Sequence, residues 1–258
     1  MIAWVTAFVD VPTAKVPAAA DFWSAVTGST MSPVRGHQGQ FSTYLPRDGD
    51  PHLRLQDVGS GLPGVHVDLH CIHPEAFAAV GEAAGGAVVH HEPGFVALRS
   101  PGGFGVCCVG HDGEAVLPSP VADERLDQVC VDVPADRWDL ELTWWNALTS
   151  WRVHQVSRRA DLIVLQPPRP SAMHILLQRL DDSGGPVHGH LDIAVGERQE
   201  RLEQATARHT SLGADFVAEH PWWHVMRAPD GTTYCLTRRE IEPSGVVAAR
   251  PGPAARVR

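Results

Sequence analysis

The chain is short of the features that most readily betray a function. None of its apolar runs approaches the ~18 residues needed to cross a bilayer, so no membrane partner is expected. The opening stretch, Met1 to Asp10, has no basic start and acquires a charge within ten residues, unlike a signal peptide. It is expected as a first strand, and the cytoplasm as the location. Positive charge is scarce. A formal net charge of -9 argues against a nucleic-acid surface, which normally shows as a basic face. Only the end is basic, with Arg250, Arg256 and Arg258 among Pro, Gly and Ala, and residues 241–258 are expected as a disordered tail. The five cysteines, Cys71, Cys107, Cys108, Cys130 and Cys235, form no C-x-x-C pair and are expected as buried, reduced thiols. There is no G-x-S-x-G, P-loop or dinucleotide fingerprint and no arguable nucleophilic triad.

What the sequence does contain is itself, twice. Asp10-Val11-Pro12 recurs as Asp132-Val133-Pro134, and Phe22-Trp23-Ser24-Ala25-Val26-Thr27-Gly28 as Trp144-Trp145-Asn146-Ala147-Leu148-Thr149-Ser150 at the same offset. His52-Leu53-Arg54-Leu55-Gln56 matches His174-Ile175-Leu176-Leu177-Gln178, and His66-Val67-Asp68-Leu69 matches His190-Leu191-Asp192-Ile193 after a small insertion. Arg99-Ser100-Pro101-Gly102-Gly103 corresponds to Arg227-Ala228-Pro229-Asp230-Gly231, each leading to a cysteine, Cys107 or Cys235. Five collinear matches make a tandem repeat. Copy one is expected over residues 1–110, a linker over 111–124 and copy two over 125–240.

Within each copy the hydrophobic period switches between 2 and 3.6. A β-rich start precedes an apolar helical stripe (Phe22, Trp23 and Val26, or Trp138, Leu142 and Trp145), and short strands follow near 40–45 and 53–58, or 161–166 and 173–179. A strand carrying His66 or His190 leads to a second helix, 74–84 or 197–212, and a closing hairpin. Each copy is β-α-β-β-β written twice, an α+β layout of four such units.

This order and these motifs resemble the glyoxalase/bleomycin-resistance/extradiol-dioxygenase (vicinal oxygen chelate) superfamily, in its actinobacterial glyoxalase-like branch. The signatures are the Asp-Val-Pro after the first strand, the Phe-Trp-x-x-x-Thr-Gly helix end, the His-x-Asp strand and the Pro-Asp-Gly-x-x-x-Cys hairpin. The resemblance implies cup-shaped, antiparallel-rich sheets, each enclosing a ligand. It also implies a divalent ion held by His or Gln on the first strand, His on the fifth and Glu on the eighth. Carried over, the first position falls near Trp4 and Leu126, the second on His66 and His190, and the third on Cys107 and Cys235. An imidazole and a thiol are two ligands where a catalytic zinc normally finds three, and hard ions want oxygen. No metal or other cofactor is therefore expected at the family position.

Residues two apart on a strand share a face, so His66, Asp68 and His70 line up, as do His188, His190 and Asp192. A carboxylate beside imidazole raises its pKa and can fix its tautomer, which suits proton transfer or binding of a polar ligand. His52 and His174 could join the same walls. His90, His91, His220 and His224 are expected at the surface. One of Trp222 and Trp223 points inward if that segment is a strand, and Trp223 is taken as the pocket aromatic.

The candidate ligand-binding set is His66, Asp68, His174, His188, His190, Asp192 and Trp223, with copy two as the richer wall. His190→Ala is expected to weaken ligand binding with little effect on folding. Two functions stay open: a protein that binds or sequesters a small organic molecule without a metal, or a lyase or isomerase using His–Asp pairs or a relocated divalent ion. The chain is expected as a monomer whose copies pair internally, or as a homodimer.

Overall fold

A computed structural model describes residues 1–156, 159–168, 171–241 and 245–246. Copy one begins with β1 (Ile2–Val11), buried along nearly its whole length because both faces are covered. Val5, Ala7, Val9 and Val11 pack beneath α1 (Val16–Thr27) with Ala19, Phe22, Trp23 and Val26. Trp4, Thr6, Phe8 and Asp10 alternate with them and face the other way, as the period of two requires. α1 stops at Gly28, whose φ of 63° is a left-handed cap. Its counterpart Ser150 holds φ 53° without glycine's freedom.

The chain continues through β2 (Thr30–Met31), β3 (Phe41–Leu45) and β4 (Leu53–Asp57). Then come β5 (Gly64–Cys71), α2 (Pro74–Ala83), β6 (Ala87–Glu92), β7 (Phe95–Arg99) and β8 (Gly105–Gly110). The eight strands form one sheet ordered β2-β3-β4-β1-β5-β8-β7-β6. Central β1 and β5 are antiparallel, β4 runs parallel to β1, and β8 parallel to β5, so each β-α-β-β-β unit mirrors the other.

A short β9 (Val116–Leu117) crosses the segment between the copies. Copy two repeats the plan: β10 (Arg125–Val133), α3 (Trp138–Thr149), β11 (Arg152–Gln155), β12 (Leu162–Gln166) and β13 (His174–Arg179). β14 (His188–Ala194), α4 (Gln199–Ser211), β15 (Asp215–Glu219), β16 (Trp223–Arg227) and β17 (Thr233–Thr237) complete it. Its sheet order, β11-β12-β13-β10-β14-β17-β16-β15, equals that of copy one strand for strand. The expected α+β fold of two tandem domains is the fold observed.

The copies pack against each other through their tryptophans. Trp23 of α1 donates its indole N–H to Asp230 in the copy-two turn (2.9 Å), and Phe22 and Trp23 lie against Tyr234. Trp144 of α3 donates to the Gly81 carbonyl of α2 (2.9 Å), and the Gly102 turn meets Glu141 and Val187. The apolar interiors merge into one cluster, so the domains share a core.

The segment 111–124 is more tightly held than a featureless linker. Asp50 accepts the N–H groups of Ala115 and Val116, Asp48 accepts the Ser119 N–H and hydroxyl, and Leu117 packs with Trp4 and Ala172. β9 also pairs with β18 (Gly245–Val246), so two residues of the expected disordered tail are strand; residues 242–244 and 247–258 lie outside the described residues. His90, His91 and His220 are exposed as expected. His224 is not: it is buried against α4, with Nδ1 2.7 Å from the Thr206 hydroxyl, because it alternates with Trp223 on β16.

Candidate functional site

Strand register decides which side chains meet in each cup. On copy one Thr6 lies opposite Asp68, which is paired in turn with Cys107; Phe8 lies opposite His66. On copy two Gln128 lies opposite Asp192, paired with Cys235, and Cys130 opposite His190. The first-strand residues level with the two cysteines are thus Thr6 and Gln128, not Trp4 and Leu126. In copy two a register shift between Leu126 and Gln128 sends Leu126 into the apolar core. In copy one Trp4 and Thr6 pair in unbroken register, and Trp4 stands two residues along the same face, level with His70. Side-chain parity alone reveals neither the bulge in copy two nor the offset in copy one.

Each cup holds a His–Asp pair that sequence spacing missed. His66 Nδ1 is 2.7 Å from Asp10, and His190 Nδ1 is 2.7 Å from Asp132. The carboxylate comes from the Asp-Val-Pro motif on the neighbouring strand, not from the His-x-Asp motif. The signal was present, since Asp10 and Asp132 are the first residues of the first matched motif, but only antiparallel pairing brings them beside the histidines. Phe8 stacks on the His66 ring at 4.3 Å and 18°. In copy two His188 also reaches Asp132 (3.5 Å), and Asp192 stands 3.4 Å from His190 Nε2.

Electrostatics follow from this packing. Burial works against an imidazolium at His66, but the charge and hydrogen bond of Asp10 together with Asp68 outweigh it and raise its pKa. The same contest is met at His190, where burial opposes the charge and the Asp132 carboxylate, through its charge and its hydrogen bond, overrides it and raises the pKa. Burial pushes the thiols of Cys107, Cys130 and Cys235 up, so they stay protonated and poorly nucleophilic. Asp68 is raised by burial and held back by His66 and Arg54, whose guanidinium lies 3.1 Å away.

A hard divalent ion does not fit either row. In copy one Arg54 already occupies the Asp68 carboxylate, Thr6 is bonded to His70 (3.0 Å), and Cys107 is a neutral thiol. In copy two Asp192 accepts Gln128 Nε2, which turns the amide's donor side toward it, and Cys235 is again neutral. Asp68 and Asp192 do add a carboxylate to each His and Cys, a third group that the sequence reading did not count. Such ions require several oxygen donors. Each row offers a single carboxylate, one oxygen of which is already bound by Arg54 in copy one or by the Gln128 amide in copy two, while the other Asp68 oxygen has no hydrogen-bond partner among the described residues.

A cavity of about 1310 Å³ opens between the copies. His66, Asp10, Gln56, Phe41, Phe95, Phe104 and Arg99 line it from copy one, and Asp132, Val187, His188 and His190 from copy two. Both His–Asp pairs border one space, and copy one supplies more of the wall, contrary to the expectation that copy two would dominate. Asp68 and Asp192 are buried behind their histidines. His174 is half-buried beside Gln128. His52 is turned away, its Nε2 donating to the Leu126 carbonyl (3.0 Å). Trp223 is half-buried, stacked on His220 at 4.6 Å under the Arg159 guanidinium, and is not among the residues lining this cavity.

A glyoxalase-like domain family model matches residues 6–109 and 128–237. Solved structures of the same fold include a 2,2',3-trihydroxybiphenyl 1,2-dioxygenase from dibenzofuran-degrading Sphingomonas wittichii (17% identity, 97% of this chain and 93% of that one, TM-score 0.61). A Mn(II)-bound glyoxalase from Novosphingobium aromaticivorans aligns at 15% identity over 92% of this chain and 82% of that one, TM-score 0.65. A 2,3-dioxygenase from a Pseudomonas species aligns at 14% identity over 94% of each chain, TM-score 0.63. No curated protein matches the chain in sequence. Among the described residues no helix is long and apolar enough to cross a membrane.

Proposed function

Because the chain belongs to the glyoxalase-like domain family in both of its copies, we propose that it binds one small organic molecule in the cavity the copies share, without the metal of its enzymatic relatives. The observation that carries this reading is the convergence of the His66–Asp10 and His190–Asp132 pairs on a single cavity with aromatic walls. A ligand site needs apolar walls and a few convergent polar groups. Phe41, Phe95 and Phe104 supply flat apolar surface, and two imidazoles favouring the charged form supply donors for a carboxylate or phenolic oxygen. A small aromatic acid or phenol matches that combination. A thermal-shift screen of such compounds tests it: hits should stabilise the wild type, and His66→Gln and His190→Gln should each abolish the shift. Hits indifferent to both changes would refute the site.

The His–Asp pairing also favours a second reading, a lyase or isomerase in which the imidazole moves a proton. Solvent-deuterium incorporation into a bound compound, lost in Asp10→Asn or Asp132→Asn, would distinguish catalysis from holding.

A further inference from the structure

Outside the shared cavity, the far end of copy one gathers a second set of donors that the repeat does not contain. His70 lies four residues beyond His66 on β5, and His111 and Glu114 come from the segment after β8. His70 Nδ1 is 3.5 Å from one Glu114 oxygen, and His111 Nδ1 is 3.1 Å from the other. All three present a ligand atom within 4.8 Å of one another. Neither Nδ1 atom makes a hydrogen bond with any described residue, although both are buried and the His70 ring is 1% exposed. Two imidazole nitrogens beside a carboxylate, without the geometry of a hydrogen bond to it, are the arrangement a cation leaves room for. Around a tetrahedral zinc with bonds of about 2.0 Å, ligand atoms stand about 3.3 Å apart, close to these separations.

We propose that His70, His111 and Glu114 form a divalent metal site of the zinc class, two nitrogens and one carboxylate with water in the fourth position. The outer contacts suit the task. The Thr6 hydroxyl holds His70 Nε2 at 3.0 Å and fixes the ring, leaving Nδ1 to the ion. The Asp112 N–H donates to Glu114 at 3.2 Å. Asp50 ties down Ala115 and Val116, so Glu114 is held in place before any ion arrives. His111 and Glu114 keep 21% and 14% of their side-chain surface exposed, which gives the ion a route in and a place for water. In copy two Ala194 stands where His70 would be, so the site belongs to copy one alone. Its donor types are those of the family's cup site, but it lies at other positions, on His70, His111 and Glu114 rather than in the row of His66 and Cys107, and it would clamp the inter-copy segment to β5. It stands independently of the cavity reading.

Untagged protein stripped with a chelator and titrated with Co²⁺ tests this. One cobalt per chain should bind with the visible absorption of a four-coordinate nitrogen–oxygen site and no thiolate charge-transfer band, and Zn²⁺ should bleach it. His111→Ala and Glu114→Gln should each weaken binding more than about tenfold. Both variants should melt as folded proteins without metal, since Glu114→Gln keeps an acceptor for the Asp112 N–H and His111 Nδ1 makes no hydrogen bond with a described residue that its loss would break. Absence of stoichiometric binding, a thiolate band, or wild-type affinity in either variant overturns the proposal. The cavity screen above reads none of these signals, so the two readings fail separately.

Discussion

The two copies agree in the His–Asp pair they turn to the shared cavity and disagree where they face each other. The His–Asp pair is reproduced at the same 2.7 Å in both. The contact between copies is solved twice by different means. Trp23 finds its carboxylate in the opposite turn, at Asp230, while α1 offers only Ala19 at the equivalent helical place. Around Trp145 the turn has Gly102 and the helix itself brings the acid, Glu141, fully buried and bonded to the Gly102 N–H. A Cβ on Gly102 would meet Val187 at 2.2 Å and Glu141 at 2.8 Å, so glycine and glutamate are coupled there. The acid moved from turn to helix and the small residue from helix to turn. What this teaches is that the interface constrains the sum of a site and not its sequence, whereas the His–Asp pair at the cavity is kept residue for residue.

The largest effect should come from breaking the interface. Trp23→Ala and Trp145→Ala each empty a fully buried site and should cost ~3–5 kcal/mol by urea denaturation, in a single transition because the copies share one core. Two separate transitions in the wild type would show the copies to be independent. Next, His190→Ala should cost ~1–3 kcal/mol. The sequence suggested a smaller loss, but the His190 and Asp132 side chains are only 14% and 9% exposed, and removing the ring leaves a buried carboxylate with His188 at 3.5 Å. A similar ~1–3 kcal/mol is expected for Gly189→Ala, whose Cβ would lie 2.7 Å from Phe104.

A finer comparison uses pH. Both histidines have folded pKa values raised above the unfolded ~6.5. Their contribution to stability is fully present below that unfolded value and is lost as pH rises through the folded one. The stability gap between wild type and Asp132→Asn should therefore be wider at pH 6 than at pH 9. The gap for Asp10→Asn should run the same way, and a gap that is flat with pH in both variants would contradict the pairing. The smallest effect is expected at the thiols: all five cysteines are buried, and a thiol reagent should find none in the native protein and five after denaturation.

Most of the fold was legible because the repeat supplied two independent readings of each element. The strands at 41–45 and 162–166 and the helices at 74–83 and 199–211 fall where the periodicity put them. The site was legible only in half. His66 and His190 were recognisable on their strands, yet their partners Asp10 and Asp132 lie 56 and 58 residues away and meet them through antiparallel pairing. Gln128 was obscured by the register shift beside Leu126, and Thr6 by lying two residues along the same strand face from Trp4. His70, His111 and Glu114 were invisible together, since two of them sit in a segment with no periodicity and no counterpart in copy two. Local pattern reports which residues share a face, and only the register reports which faces meet.

The account rests on one cavity serving both copies. The most direct measurement is calorimetric titration of the best-stabilising aromatic acid into wild type, His66→Gln and His190→Gln. One ligand per chain, with affinity lost in each single variant, is the predicted result. Two ligands per chain, or a loss confined to one variant, would contradict it.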